Sequence, residues 1–258
     1  MFSYNKIKYI LRNLQALGHK FFYILRPEGY FFRFPPPQRP RKWLSGLWIF
    51  VFFVFGREIC RKICIFASNM RRLYIIAGCN GAGKTTASYT ILPEMLDCRE
   101  FVNADEIAKG LSPFNQERMA IEAGRIMLQR MEDLLSQDED FAFETTLASR
   151  SYTQFIEKAH AKNYFVTLLF FWLPSPELAI ERVATRVAEG GHNIPEDVIR
   201  RRYDSGIRNF KALYMSSCDF WTIYDNSGTE GVKQIAWGQG DLVREVLEEE
   251  SYKKIMEL

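Results

Sequence analysis

The chain has 258 residues, 47% of them hydrophobic, which suffices for one large domain with a core or for a domain with an appendage. Its net charge of +3 conceals an asymmetry, because residues 1–69 hold 12 Lys and Arg against two Glu, whereas residues 70–258 hold 22 Lys and Arg against 29 Asp and Glu. The second segment is mildly acidic, which argues against a nucleic-acid-binding domain, so we expect no nucleic-acid partner.

The five cysteines form no C-x-x-C pair and have no companion histidines at metal-ligand spacing. This pattern argues against a disulfide framework and against a zinc site. Free thiols are typical of a reducing compartment, so we expect a cytoplasmic protein.

Residues 1–69 differ in kind from the rest, since they are basic, about a quarter aromatic, and lack Asp and Thr. Their long apolar run, residues 44–56, has 13 residues, whereas a membrane-spanning helix needs about 20. Three interpretations stay open: a membrane-associated segment, a poorly ordered extension, or a stretch upstream of the true start. We favour the third, because Met70 lies directly before Arg71-Arg72 and the first clear strand, and we therefore expect a leader, 1–69, and a compact domain, 70–258.

From Met70 onward, apolar strands alternate with helical patterns, which predicts an α/β domain with a mostly parallel sheet of five strands. The predicted strands are residues 73–77, 101–102, 141–143, 164–172 and 220–224. The predicted helices are residues 85–95, 117–136, 151–162, 175–188 and 195–214. The side chains expected to share one face of the second helix are Ile121, Ile126, Met127, Met131 and Leu134.

The sequence G-C-N-G-A-G-K-T at residues 78–85 fits the pattern G-x-x-x-x-G-K-[ST] of a P-loop at every specified position. Glycines let the backbone N–H groups point at phosphate oxygens, and the following helix presents its positive end to the same anion. Lys84 can reach the β- and γ-phosphates, and Thr85 can ligate Mg²⁺, so we predict ATP and Mg²⁺ as cofactors. The predicted nucleotide-binding residues are Gly78, Cys79, Asn80, Gly81, Ala82, Gly83, Lys84, Thr85 and Thr86.

The choice of ATP rests on two motifs that the sequence lacks. A guanine-specific GTPase would show N-K-x-D after a later strand, and an ABC transporter ATPase would show a segment like L-S-G-G-Q. Neither occurs, which favours an ATP-dependent enzyme of another class.

Two acids follow predicted strand ends, at the edge of an α/β sheet where ligands bind. Asp105 could accept a proton from a substrate hydroxyl or hold water on Mg²⁺, and Glu144 could bind substrate hydroxyls or support the metal. The alternative for each is a helix cap or a loop acid.

Arginines surround the glycine pair Gly190-Gly191 between the two last predicted helices. Two cationic helices joined by a glycine hinge could form a lid that closes on the transferred phosphoryl group. A solvated helix face with acidic partners is the alternative. The arginines concerned are Arg182, Arg186, Arg200, Arg201, Arg202 and Arg208.

Taken together, the motifs resemble the zeta-toxin-like P-loop kinases over residues 70–258. Besides the P-loop, the segments that carry the resemblance are F-V-N-A-D-E-I-A-K-G-L-S-P at 101–113, F-E-T-T-L at 143–147, R-V-A-E-G-G-H-N-I-P-E-D-V-I-R-R-R-Y at 186–203 and D-F-W-T-I-Y-D-N-S at 219–227. The chain resembles the branch of this family that contains G-G-H, and typical toxins have a different segment there.

The resemblance implies a kinase fold with a helical lid, and transfer of the γ-phosphate of ATP to a hydroxyl of a small substrate. UDP-N-acetylglucosamine, the acceptor of the better-known toxins, is the first expectation, and an antitoxin protein is an implied partner. The implied catalytic residues are Lys84, Asp105, Arg186 and Arg201, with Arg200 and Arg202 left open as alternatives to the last. The implied substrate-binding residues are Asp105, Glu144, Thr145 and Thr146.

Two other functions stay open at this point. The chain could phosphorylate another metabolite or a nucleotide without any toxic role. It could also be a P-loop ATPase switch that regulates a protein partner, although the arginine cluster argues mildly against this.

Overall fold

The computed structural model describes residues 22–25, 31–34, 70–228 and 231–258. The chain divides into two compact units, Met1–Ser68 and Asn69–Leu258. In the first unit, strands β1 (Phe22–Leu25) and β2 (Phe31–Phe34) pair antiparallel.

The apolar run at residues 44–56 lies outside the described residues, so the interpretations of segment 1–69 stay predictions. Among the helices that the structure describes, none is both long and apolar enough to cross a membrane.

The second unit is built on one sheet of seven strands. Their bounds are β3 Arg71–Gly78, β4 Glu100–Val102, β5 Phe141–Thr145, β6 Tyr164–Trp172, β7 Phe220–Asp225, β8 Lys233–Gln239 and β9 Leu242–Val246. They are ordered β4-β5-β3-β6-β7-β8-β9, and the first five of that order run parallel. The α/β fold with a mostly parallel sheet is therefore confirmed, but the predicted number of strands was wrong, because β8 and β9 extend the sheet antiparallel.

Helices cover the sheet and connect its strands. Their bounds are α1 Lys84–Thr90, α2 Ala104–Leu111, α3 Gln116–Ser136, α4 Tyr152–Ala161, α5 Pro176–Ala188, α6 Glu196–Asn209, α7 Met215–Ser217 and α8 Glu249–Glu257. Two π-helical turns, Ile91–Met95 and Phe210–Tyr214, continue α1 and α6. The first of these turns contains Pro93, which has no N–H for a regular helical hydrogen bond, and the helix widens there.

Only part of the face predicted for α3 is buried. Met127, Met131 and Leu134 are at most 3% exposed, whereas Ile121 is 75% and Ile126 is 37% exposed. Each residue turns a helix by about 100°, which puts Ile121 and Ile126 roughly 120° and 100° to either side of Met127. The predicted face was too wide, and these two side chains lie outside it.

The sheet order determines where the functional residues meet. Because β4, β5 and β3 are parallel neighbours, their carboxyl ends lie along one edge. Helix α6 packs beside this edge through Ile199, Tyr203 and Ile207, which recur every fourth residue and are at most 3% exposed. The Tyr203 hydroxyl also donates to the carbonyl oxygen of Leu173 at 2.8 Å, which fixes the helix against the end of β6.

Candidate active site

The P-loop connects β3 to α1, and its backbone requires glycine at particular places. Gly78 has φ 142° and Gly83 has φ 75°, conformations that L side chains rarely adopt. A Cβ atom on Gly78 would lie 2.1 Å from the carbonyl oxygen of Phe171 in the neighbouring strand. The loop therefore needs glycine at Gly78 both for its conformation and for the close approach of β6.

Lys84 lies in the first turn of α1 and is 5% exposed. Its Nζ donates to the carbonyl oxygen of Cys79 at 2.9 Å and lies 3.5 Å from Oε1 of Glu144. Burial raises the pKa of the Cys79 thiol to about 11, although the charge of Lys84 opposes this rise. Cys79 is therefore a protonated, buried thiol that shapes the loop and has no nucleophilic character at neutral pH.

Glu144 connects the P-loop to the end of β4. Its Oε2 accepts a hydrogen bond from the hydroxyl of Thr85 at 2.7 Å and another from Nδ2 of Asn103 at 2.8 Å. Strand β5 extends to Thr145, so Glu144 lies inside the strand rather than after its predicted end. The result is one cluster of a lysine, a threonine, a glutamate and an asparagine beside the P-loop.

Asn103 is a site residue that the sequence analysis did not identify. Its side-chain oxygen accepts from the backbone N–H of Asp105 at 2.8 Å, so it caps α2 while its amide donates to Glu144. An asparagine followed two and three residues later by Asp105 and Glu106 is a typical helix N-terminus, and this signal could have predicted both α2 and the cap.

Asp105 lies in the exposed first turn of α2. Its charge acts on Arg202 of α6: burial lowers the pKa of that guanidinium, and the carboxylate of Asp105 opposes the decrease. Arg202 also donates to the side-chain oxygen of Asn80 in the P-loop at 3.3 Å. Arg202 therefore interacts with both the P-loop and Asp105.

The three consecutive arginines of α6 point to different partners. Arg200 pairs with Glu177 of α5, Arg201 is exposed, and Arg202 contacts the P-loop. Successive helix residues are separated by about 100°, so only one of the three can face the loop. Of the three arginines left open by the sequence, Arg202 contacts the P-loop, and the Arg201 side chain is exposed.

Arg186 is held by the glycine loop that follows α5. Its Nη2 donates to the carbonyl oxygen of His192 at 2.9 Å, and a Cβ on Gly191 would lie 2.6 Å from its Cγ. Its Nε is buried and has no hydrogen-bond partner within the part of the chain that the structure describes.

A second asparagine supports the P-loop from the end of β7. Nδ2 of Asn226 donates to the carbonyl oxygen of Ala82 at 2.8 Å. Arg182 of α5 in turn donates to the carbonyl oxygens of Asn226 and Ser227 at 2.7 and 2.9 Å. Arg182, considered as a lid cation from the sequence, thus connects α5 to a segment that holds the P-loop.

The threonines predicted at the site have separate positions. The Thr145 hydroxyl accepts from the backbone N–H of Leu147 at 3.1 Å, and Gly206 of α6 packs against the Thr146 carbonyl. Thr86 is exposed on α1. The side chain of Thr145 therefore stabilises the turn after β5.

The oxygen atoms at Thr85 and Glu144 fit Mg²⁺, which prefers hard oxygen ligands and is usually held by few protein groups together with nucleotide phosphates. No cluster of three or more His, Cys, Asp or Glu side chains suited to a metal occurs among residues 70–228 and 231–258. Thr85 and Glu144 could therefore hold such an ion only together with other ligands, such as the phosphates of a bound nucleotide.

The chain is similar to several known proteins. An uncharacterized protein of Haemophilus influenzae is 31% identical over 127 residues, which span 49% of this chain and 88% of that protein. The crystal structure of AvrRxo1-ORF1:-ORF2 with ATP aligns with a TM-score of 0.58 at 18% identity, over 74% of this chain. The chain spans 65% of that protein's length. A structure from the PezAT chromosomal toxin-antitoxin system of Streptococcus pneumoniae aligns with a TM-score of 0.49 at 16% identity, over 61% of this chain and 68% of that one.

A match to a protein family confirms the resemblance recognised from the motifs. The family described as Zeta toxin matches residues 61–232, two thirds of the chain, including the P-loop, both strand-end acids and the arginines of α5 and α6. The chain has the fold of the P-loop kinases and belongs to the zeta toxin family.

Proposed function

We propose that the protein is an ATP-dependent kinase that transfers the γ-phosphate to a hydroxyl group of a small substrate. The observation that supports this best is the contact of Glu144 with both Lys84 and Thr85, beside a P-loop that Arg202 contacts through Asn80. A site that only bound nucleotide would not need an exposed carboxylate opposite an arginine at the same edge of the sheet.

The P-loop backbone and Lys84 bind the phosphates of ATP in this proposal. The Thr85 hydroxyl and the Glu144 carboxylate hold Mg²⁺, the glutamate either directly or through a water molecule. Mg²⁺ bound there supplies positive charge that stabilises the transferred phosphoryl group. Glu144 also fixes Lys84 and Asn103, so the nucleotide site and the start of α2 are positioned by one carboxylate.

Asp105 is the proposed base, because its carboxylate is exposed and interacts electrostatically with Arg202, which contacts the P-loop. Arg186 and Arg202 stabilise the negative charge on the phosphoryl oxygens. We assign the second arginine to Arg202 in place of Arg201, since Arg202 is the one in contact with the P-loop.

The acceptor is proposed from the family, with UDP-N-acetylglucosamine as the first candidate. Glu144, Thr145 and Thr146 then lie at the strand end nearest the substrate, with the Glu144 carboxylate as the group able to accept from its hydroxyls. A metabolite kinase without a toxic role is the alternative.

A protein partner belongs to the same proposal. The AvrRxo1-ORF1:-ORF2 structure, in which one chain shares the fold of this protein, is named for two components. We propose that a small antitoxin-like protein binds this chain and controls its activity. Induced expression of the chain alone should then arrest growth, and co-expression of the partner should restore it.

Incubation with ATP, Mg²⁺ and a panel of nucleotide sugars, read by mass spectrometry, tests the activity. We expect one acceptor to gain a phosphate. Asp105→Asn should abolish this gain while leaving ATP binding intact, and Glu106→Gln, a matched change at the next exposed acid, should retain it. A normal rate in Asp105→Asn would show that the base is another group.

A further inference from the structure

A polar cleft lies outside the cluster around the P-loop. It has a volume of about 370 Å³ and is lined by two segments, residues 113–117 and residues 190–193. The first segment connects α2 to α3, and the second connects α5 to α6. This volume lies within the range of about 300–1,000 Å³ typical of small-molecule sites.

Each wall of the cleft is connected to a residue with a proposed catalytic role, one wall to Asp105 and the other to Arg186. Residues 113–117 follow α2, which begins beside Asp105 and has eight residues. Asp105 is the second residue of α2, so at 1.5 Å per residue the helix rises about 9 Å from the proposed base to its last residue, Leu111. The cleft wall begins two residues further along, at Pro113. The other wall carries His192, whose carbonyl oxygen accepts from Arg186.

The wall at residues 190–193 is fixed rather than loosely placed. The backbone N–H of Gly191 donates to the carbonyl oxygen of Arg186 at 2.8 Å, and a side chain at Gly191 would collide with Arg186. A ligand that contacts this wall therefore contacts the segment that positions the proposed phosphate-binding arginine.

The lining has the chemistry of a site for uncharged polar groups. It offers amide groups at Asn115, Gln116 and Asn193, with Glu117 as its one carboxylate and no lysine or arginine among the lining residues. Asn115 precedes α3 without capping it through its side chain, so its amide is not used by the helix. Such a lining favours hydroxyl and amide groups over phosphate.

Phe114 adds a flat apolar surface at the edge of the cleft. Its side chain is fully exposed, at 102% of the reference area, and belongs to the lining. Burial of an aromatic side chain is favourable, so an exposed one beside amide groups is suited to pack on a sugar or base ring. Amide groups and an aromatic surface together are typical of sites that bind such rings.

We propose that this cleft binds the uncharged ring at the far end of the acceptor, a sugar or nucleoside ring linked to the unit that is phosphorylated. The proposal rests on the proposed kinase function. An acceptor that contacts both Asp105 and the cleft must span at least about 9 Å, so it consists of at least two linked units. A small acceptor with a single ring or chain would bind near Asp105 without reaching the cleft.

Chemical shifts of the backbone amides test the proposal without requiring transfer. Isotope-labelled protein with a non-hydrolysable ATP analogue is titrated with UDP-N-acetylglucosamine, N-acetylglucosamine and uridine. We expect at least one probe to shift the amides of residues 114–117 and 191–193. The double variant Phe114→Ala/Asn193→Ala should weaken that binding at least fivefold, with the affinity for the ATP analogue unchanged. Leu128→Ala, an exposed apolar change on α3 outside the cleft, is the control and should bind the probe normally.

Two results would overturn the cleft assignment: no shift in either segment with all three probes, or equal binding by the double variant. An acceptor of a single small unit that is phosphorylated with a KM insensitive to the double variant would also overturn it. Failure of the ATP analogue to bind would instead overturn the kinase proposal, so the two can be told apart.

Discussion

Replacing Gly78 by alanine should destabilise the protein strongly, because the residue lies where β3 and β6 approach most closely. Its φ of 142° is a conformation that costs a residue with a side chain on the order of 1–3 kcal/mol. The new Cβ would also lie 2.1 Å from the carbonyl oxygen of Phe171, its partner in the register of the two strands. Moving the strands apart would weaken hydrogen bonds worth about 1 kcal/mol each. We therefore expect a total loss of about 3–5 kcal/mol.

Gly124→Ala is the matched control, since Gly124 lies inside α3 with nothing within 4 Å of an added Cβ. A glycine in a helix interior is about 0.5–1 kcal/mol less favourable than alanine, so this variant should be slightly more stable than the parent. Urea denaturation followed by circular dichroism gives the free energy of unfolding of each protein. Equal stability of Gly78→Ala and the parent protein would refute the reasoning, and so would a loss in Gly124→Ala as large as that in Gly78→Ala.

Three further predictions concern the site. Asn226→Ala removes the donor to the buried carbonyl of Ala82, at a cost of about 1–3 kcal/mol. Titration with a fluorescent ATP analogue should therefore show roughly tenfold weaker binding, and unchanged affinity would contradict this. Arg202→Lys should lower kcat on the order of 100-fold while Arg201→Lys changes it little, and the reverse order would show that the other arginine reaches the phosphate. With a pKa raised to about 11 by burial, the Cys79 thiol is ionised in only about one molecule in a thousand at pH 8. Iodoacetamide should therefore label it, as read by peptide mass spectrometry, only after unfolding, and rapid labelling of the folded protein would contradict the burial.

The parallel part of the sheet could be predicted because its strands are short apolar runs bounded by polar strand ends. Strands β8 and β9 could not, since K-Q-I-A-W-G-Q contains a glycine and lacks a clear alternation. Gly238 is needed there because a Cβ would lie 2.2 Å from the ring of Trp221. That contact depends on the register of β7 and β8, which the local sequence does not specify.

The P-loop, Asp105 and Glu144 could be located from motifs, because strand ends at a parallel edge converge whatever the details of packing. Which of the three arginines contacts the P-loop could not be predicted, because it depends on the rotation of α6 about its axis. That rotation is set by contacts such as the hydrogen bond from Tyr203 to Leu173. Asn226 was missed because its role also depends on the packing of distant segments. Its contact with Ala82 joins residues 144 positions apart.

The most direct test of the central claim is transfer of the γ-phosphate itself. ATP labelled with ¹⁸O at all γ-phosphoryl oxygens is incubated with the protein, Mg²⁺ and the candidate acceptors, and the products are resolved by mass spectrometry. The account predicts an acceptor phosphate ester that carries the labelled γ-phosphoryl group, formed by the parent protein and absent with Asp105→Asn. Label found only in inorganic phosphate, whatever acceptor is present, would contradict the kinase and favour an ATPase switch.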